Sequence, residues 1–144
     1  MSMSGIIELL RRVITVALVT GAFIWIARSG LTALLLALAA LATYVLVPRQ
    51  RRPDGAFIYE RMPSVVMPDL LGILLTAFFV ALPVWAGGAE GGGFGPIHPM
   101  AFLLWPMAIF GLAILFIATR YAVYWLAIAP DGLRLNDLSG EQFV

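Results

Sequence analysis

Four long apolar stretches constrain the fold of this chain more than any other feature. They span approximately residues 13–27, 31–47, 70–86 and 100–119. A bilayer core about 30 Å thick requires roughly 20 apolar residues in a helix. Charged residues make up only 12% of the chain, against about 25% in a soluble domain. The sequence therefore predicts an all-α membrane protein with four transmembrane helices, arranged as two antiparallel hairpins over 13–47 and 70–122.

The first apolar stretch is short, so its helix is expected to begin earlier, near residue 5. Residues 1–12 are predicted to form an interfacial lead-in. Within it, Glu8 and Arg12 are four positions apart and can pair on one helix face. The long stems of Arg11 and Arg12 would let their guanidinium groups stay at the membrane interface. The turn at 28–30 is very short, which indicates a tight hairpin; a re-entrant pair that does not cross is the alternative.

The arginines predict the orientation of the helices. All nine basic residues are arginine, and only Arg28 falls on the side opposite the others. By the positive-inside rule, both termini and the loop 48–69 are cytoplasmic. Tryptophans and tyrosines at the predicted boundaries agree with this orientation, as in an aromatic belt. No small-residue cleavage site follows the first stretch, so we interpret it as an uncleaved anchor. The use of arginine alone as the basic residue indicates a GC-rich bacterial genome, and hence a bacterial inner-membrane protein.

Prolines, glycines and one aspartate predict where the later helices begin and end. Asp69 is a plausible N-cap of the third helix, and Pro83 is expected to kink or terminate it. The external loop 87–99 contains six glycines and two prolines, which is typical of a connector. The fourth helix is predicted to begin near residue 99 or 100 and to end near 122–124.

Residues 123–144 are predicted to form a small cytoplasmic β-hairpin element. A strand over about 124–129 is followed by a Pro-Asp-Gly turn at 130–132 and by the alternating return strand 133–136. A second turn at 137–140 leads into the start of a third strand. Residues 129–135 (Ala-Pro-Asp-Gly-Leu-Arg-Leu) and 137–140 (Asp-Leu-Ser-Gly) resemble the opening hairpin of the PH-like domains in many small bacterial membrane proteins. The resemblance covers under 20 residues, implies a β-rich interaction module, and carries over no site residues.

The residue inventory argues against several kinds of site. The chain has no cysteine, which excludes a disulfide or a thiolate ligand. Its one histidine, His98, cannot supply bis-histidine haem ligation. The glycine-rich loop lacks the Gly-Lys-Ser/Thr ending of a phosphate loop, and the four apolar stretches contain no ionisable side chain of the kind that ion-coupled transporters use. We expect no catalytic residue, no metal, no cofactor and no nucleic-acid partner.

Two groups of residues are candidates for contacts with lipid or with other helices. Arg49, Arg51 and Arg52 in the cytoplasmic loop could hold anionic lipid head groups, although as determinants of the orientation they need no further role. Small residues at helical spacing predict close helix packing, either within the bundle or against another subunit; they are Ala17, Gly21, Ala33, Ala37, Ala40, Ala77, Ala81, Ala108 and Gly111.

These observations favour a non-catalytic accessory, assembly or scaffold subunit of a larger inner-membrane complex, in contact with the bilayer and with other subunits or copies of itself. The alternative is a small homo-oligomeric transporter or channel for an apolar or weakly polar solute. A membrane enzyme acting on lipid is a third possibility, for which Glu60, Arg61 and Asp69 are the available polar cluster.

Overall fold

The computed structural model describes residues 2–47, 53–89, 97–130 and 132–143. Within these ranges the chain is mostly helical, with four α-helices, one π-helical turn and a small antiparallel sheet. In chain order the elements are α1 (Met3–Trp25), α2 (Gly30–Leu46), a π-helical turn (Met62–Val66), α3 (Met67–Ala89), α4 (Ala101–Val123), β1 (Trp125–Ala129), β2 (Gly132–Asn136) and β3 (Glu141–Phe143). Two helical segments are long and apolar enough to cross a membrane, Met62–Gly88 and Ala101–Val123, and α2 is a shorter apolar helix.

Helix α1 begins ten residues before the first apolar stretch. The Ser2 hydroxyl accepts a hydrogen bond from the Gly5 backbone N–H at 3.2 Å and caps the helix. The predicted interfacial lead-in is therefore continuous with α1. The arginines of this segment were expected to keep their guanidinium groups at the membrane interface. In the structure, Glu8, Arg11 and Arg12 are instead buried against the other helices.

The turn between α1 and α2 is as short as predicted. The backbone N–H groups of Arg28 and Ser29 both donate to the Trp25 carbonyl, at 2.9 and 2.8 Å. The Ser29 hydroxyl then accepts from the Thr32 backbone N–H at 3.3 Å and caps α2. As a result, the two helices pack directly against each other.

The predicted start of α3 at Asp69 was wrong, and Pro83 does not terminate the helix. Helical structure begins upstream of Asp69, with the π-helical turn. This turn tolerates Pro63 because the proline lies in its first positions, where a missing backbone N–H costs little. Asp69 therefore does not cap the helix; its side chain is completely buried. At the other end, α3 continues past Pro83 to Ala89. The carbonyl of Pro83 accepts a hydrogen bond from the His98 backbone N–H at 2.9 Å, which ties the start of α4 to α3.

Helix α1 packs against each of the other three helices, and α3 packs closely on α4. The α3–α4 contact depends on two glycines. A Cβ atom on Gly111 would lie 2.4 Å from the Thr76 hydroxyl and 2.9 Å from the Thr76 backbone nitrogen. A Cβ atom on Gly72 would lie 2.7 Å from the side chain of Leu115. The two backbones can approach this closely only because neither glycine has a side chain.

The sheet confirms the predicted strands and includes the third one. Strand β2 is central and pairs antiparallel with both neighbours, with Leu126 opposite Leu135 and Asn136 opposite Glu141. The Asn136 side-chain amide donates to the Val123 carbonyl at 2.7 Å, which fixes the sheet to the end of α4. On its outer edge, β1 is joined to the segment before α3 by paired backbone hydrogen bonds between Phe57 and Leu126, at 2.7 and 3.0 Å.

Candidate functional site

Five polar side chains meet inside the helical bundle, at the end where α1 and α3 begin and α2 ends. We call this group the charged cluster; it consists of Glu8, Arg11, Arg12, Tyr44 and Asp69. Helix α1 supplies three of the five, and α2 and α3 supply one each. It is the most elaborate polar arrangement in the described part of the chain and therefore the candidate site.

The spacing of residues along α1 explains how one helix contributes so many of these groups. Glu8, Arg11, Arg12 and Thr15 occupy positions i, i+3, i+4 and i+7, which lie on one helix face. All four are buried. The Thr15 hydroxyl donates to the Arg11 carbonyl at 2.7 Å, so this polar side chain is satisfied within its own helix.

Arg12 is at the centre of the charged cluster. Its Nε donates to Asp69 Oδ1 at 2.6 Å and its Nη2 donates to Asp69 Oδ2 at 2.8 Å, a two-point pairing between guanidinium and carboxylate. Its Nη1 donates to the Glu8 carbonyl at 3.0 Å and to the Glu8 carboxylate at 2.6 Å. The side chain of Arg12 is 1% exposed and that of Asp69 is 0% exposed, so solvent plays no part in this pairing.

Arg11 and Tyr44 complete the charged cluster and bring in α2. Arg11 forms an ion pair with the carboxylate of Glu8, and its guanidinium lies 4.9 Å from the centre of the Tyr44 ring. Arg11 Nη1 also donates to the Tyr44 carbonyl at 3.5 Å. The Tyr44 hydroxyl donates to Asp69 Oδ2 at 2.7 Å. Asp69 is thus shared by an arginine of α1 and a tyrosine of α2.

The chemistry available to the charged cluster follows from its pairing. Two arginines balance two carboxylates, and each carboxylate already accepts hydrogen bonds from a guanidinium group. Arg11 Nε is its one buried polar side-chain atom without a hydrogen-bond partner among the described residues. Among the described residues, no group of three or more His, Cys, Asp or Glu side chains could hold a metal ion. This geometry is suited to holding α1, α2 and α3 together.

The polar residues considered for lipid chemistry are not brought together. Asp69 is buried in the charged cluster, whereas Glu60 and Arg61 are exposed. His98 is at the opposite end of the bundle, where its Nδ1 accepts from the Met100 backbone N–H at 3.2 Å beside the start of α4. The arginines proposed to hold lipid head groups, Arg49, Arg51 and Arg52, lie outside the described residues.

The predicted packing residues divide into two groups. Six are buried between helices: Ala33, Ala40, Ala77, Ala81, Ala108 and Gly111. Gly21 is half-buried beside Leu36, and Ala17 and Ala37 are exposed on the bundle surface. Sequence reasoning missed Gly72 and Thr76, whose backbones meet α4 at Gly111.

The charged cluster was predicted only in part: the Glu8–Arg12 pair is confirmed, whereas the burial of this pair and its partners Tyr44 and Asp69 were missed, although one signal in the sequence pointed to a buried face. The four-residue polar stripe at 8, 11, 12 and 15 lies beside apolar residues at 6, 7, 10, 13 and 14, so α1 has two distinct faces.

No protein family, no curated protein and no solved structure matches the chain.

Proposed function

We propose that the chain is an integral inner-membrane protein whose four helices all span the bilayer, with both termini in the cytoplasm. The first half of α1 carries this proposal. Its charged face is buried, whereas Ile7, Leu10 and Val13 on the opposite face are 44–52% exposed. In water this arrangement would bury charge and expose apolar surface, which is the reverse of what the hydrophobic effect favours. In lipid the same arrangement is favourable.

The outer surfaces of α2 and α4 support the same assignment. Leu31, Leu35 and Leu41 on α2 are 58–69% exposed, and Phe102 and Ile109 on α4 are 88% and 65% exposed. Monomeric soluble proteins rarely carry continuous apolar surface on this scale. A bilayer would cover it, and a neighbouring membrane subunit could cover part of it.

We infer that the protein is a non-catalytic accessory, assembly or scaffold subunit of a larger membrane complex. The charged cluster is the observation that supports this role. Its ionised groups are paired with one another across α1, α2 and α3, so they hold the bundle together and leave no free acid, base or nucleophile at this position. The exposed faces of α2 and α4 are then the surfaces available to partner subunits, and the sheet is a cytoplasmic contact module.

Two apolar grooves favour a second candidate, a small homo-oligomeric transporter or channel for an apolar or weakly polar solute. One groove lies between α1 and α2 and the other between α1 and α3. Flux of such a solute into liposomes containing the purified protein would support this alternative. Purification with stoichiometric membrane partners and no flux would exclude it.

Because the chain contains no cysteine, single-cysteine labelling can test the topology directly. Ala27→Cys places a thiol in the exposed α1–α2 turn, and Gln142→Cys places one on the exposed strand β3. A membrane-impermeant maleimide applied to intact spheroplasts should label the first variant and leave the second unlabelled until the cells are lysed. Labelling of both variants, or of Gln142→Cys alone, would contradict the proposed topology.

The subunit role requires a separate experiment. Affinity purification from native membranes in mild detergent, followed by mass spectrometry, should recover other membrane proteins in stoichiometric amounts. A stable monomer with no accompanying protein would rule out the accessory role while leaving the membrane assignment intact.

A further inference from the structure

The outer half of α1, close to its turn into α2, is flanked by two apolar grooves. The groove toward α2 has a volume of about 390 Å³ and the groove toward α3 a volume of about 190 Å³. Phe23 and Ile26 line both grooves, so they form a ridge between them. Beyond this ridge, Ala33 and Ala37 line the α2 side, and Phe78 and Trp85 line the α3 side.

The α3-side groove has aromatic walls. The rings of Phe23 and Phe78 meet edge to face, with their centres 6.2 Å apart. Trp85 is 45% exposed, which leaves its indole accessible from outside the bundle. Tryptophan at this position is typical of the head-group level of a bilayer.

Arg28 lies near the ridge, in the turn between α1 and α2. Arg28 is two residues after Ile26, and its guanidinium lies 5.9 Å from the centre of the Trp25 ring. The same group reaches across to α3, where its Nη2 is 2.7 Å from the point that a Cβ atom on Gly88 would occupy. Gly88 is one helical turn after Trp85. No carboxylate among the described residues pairs with Arg28.

We propose that this region is a binding site for one diacyl phospholipid, with an acyl chain in each groove and the phosphate at Arg28. The proposal rests on the membrane assignment made above. Each part of the site matches one part of the ligand: the two grooves are apolar, Phe23 and Ile26 line both of them, and Arg28 follows Ile26 by two residues in the turn between α1 and α2. A single acyl chain would fill only one groove.

The charge of Arg28 favours a lipid over a partner helix as the occupant. A transmembrane helix seated on the Phe23–Ile26 ridge would place apolar side chains or its own terminus against a guanidinium that has no carboxylate partner among the described residues. A phosphate diester neutralises that guanidinium and accepts hydrogen bonds from it. In addition, the missing side chain at Gly88 leaves room for the Arg28 guanidinium to lie against α3 in its present position.

Native mass spectrometry of the full-length protein tests the proposal. Protein purified from membranes is stripped of lipid in detergent and titrated with palmitoyl-oleoyl phosphatidylglycerol. Diacylglycerol with the same two chains serves as a phosphate-free probe, and inorganic phosphate serves as a chain-free probe. The wild-type chain should bind one phosphatidylglycerol, should bind diacylglycerol about fivefold more weakly, and should not bind inorganic phosphate at the same concentration.

Two variants address the two parts of the site. Arg28→Gln removes the cation and should weaken phosphatidylglycerol binding about fivefold, the effect of one arginine near a charged membrane surface. Ala37→Trp fills the α1–α2 groove from an exposed position and should reduce binding by at least as much. Ala39→Trp, exposed on the same helix and outside the groove lining, and Arg134→Gln, exposed on β2, are the matched controls and should bind like the wild-type chain.

Wild-type binding in either Arg28→Gln or Ala37→Trp would overturn the proposal. So would recovery of a protein in place of lipid from a photo-crosslinker placed at position 37. Carbonate extraction of the same membrane preparations shows whether a negative result contradicts the membrane assignment or only the lipid site. Protein released by carbonate would contradict the membrane assignment itself, whereas protein retained in the membrane without lipid specificity would contradict the lipid site alone.

Discussion

Arg12 on α1 and Asp69 on α3 face each other with two parallel hydrogen bonds, at 2.6 and 2.8 Å, in the fully buried interior of the bundle. This pair joins helices that are otherwise held by apolar contacts. Removing two charges from water costs several kcal/mol for each ion. The arrangement is stable only because each charge retains a partner with good geometry and because Glu8 and Tyr44 satisfy additional donors and acceptors.

Loss of Arg12 should therefore be strongly destabilising. The variant Arg12→Met leaves the Asp69 carboxylate buried without its partner, and breaking a buried pair in this way costs about 3–5 kcal/mol. The double variant Arg12→Met/Asp69→Asn removes both charges and should recover most of that loss. Thermal unfolding in detergent, followed by circular dichroism, measures both effects.

A surface pair provides the comparison for Arg12. Arg134 and Glu141 on the sheet are 4.0 Å apart and about half exposed, so Arg134→Met should change the unfolding free energy by less than about 1 kcal/mol. If Arg12→Met changed the free energy of unfolding as little as Arg134→Met does, the charged cluster would not stabilise the contacts between the helices.

Tyr44 should contribute through its hydroxyl as well as through its ring. Tyr44→Phe retains the ring under Arg11 and removes the hydrogen bond to Asp69, and a bond to a charged group is worth about 1.5–3 kcal/mol. Tyr59→Phe is the matched control, because the Tyr59 hydroxyl forms no hydrogen bond with another described residue. Equal unfolding temperatures for the two variants would show that the Tyr44–Asp69 contact adds nothing.

The contact between α3 and α4 should not tolerate a side chain at Gly111. A methyl group there would lie 2.4 Å from the Thr76 hydroxyl and 2.9 Å from the Thr76 backbone, so Gly111→Ala must push the helices apart. Overpacking of this kind costs about 1–3 kcal/mol. Gly30→Ala, where a Cβ atom meets nothing within 4 Å, should be neutral in the same unfolding assay; equal effects would contradict the close approach.

The turn between β2 and β3 should respond to acid. Asp137 Oδ1 accepts from the hydroxyl of Ser139 at 2.5 Å and from its backbone N–H at 2.7 Å, and these bonds hold the pKa of Asp137 below its ordinary value. A lowered folded-state pKa means that the stabilisation is present above the ordinary pKa, about 3.9, and is lost as the pH falls through the lowered one.

The Ser139 amide resonance reports this titration by NMR. Its midpoint in the wild-type protein should fall below the ordinary pKa of aspartate, and Asp137→Asn should abolish the transition. A wild-type midpoint at or above the ordinary value would show that the Ser139 hydrogen bonds do not favour the ionised carboxylate.

Local chemistry was enough to predict most of the helices and strands. The apolar stretches located all four helices, and the Pro-Asp-Gly turn with its alternating flanks located the strands of the sheet. The errors occurred where a local rule competed with a distant partner. Asp69 has the residue type and position of an N-cap, but helical structure begins upstream of it, and its carboxylate is bound by an arginine 57 positions away.

Arg11 and Arg12 show why the charged cluster could not be predicted from hydropathy. Two arginines before an apolar stretch normally mark a membrane boundary, and only the helical spacing of Glu8, Arg11, Arg12 and Thr15 suggests a buried polar face. Which residue on which helix would neutralise that face depends on the packing of α1 against α3. The Gly72–Gly111 contact was also missed, although Gly72 and Thr76 are four positions apart and form a pair of small residues on one helix face.

The separation between Arg12 and Asp69 affects how the protein is made. A ribosome adds about 5–20 residues per second, so the 57 positions from Arg12 to Asp69 take roughly 3–11 s to synthesise. During that interval the first helix carries Arg12, whose carboxylate partner on the third helix does not yet exist. On the proposed membrane assignment, α1 must wait at the insertion machinery or at the bilayer surface and enter its final position together with α3. The insertion of the first helix is thus completed by the synthesis of the third.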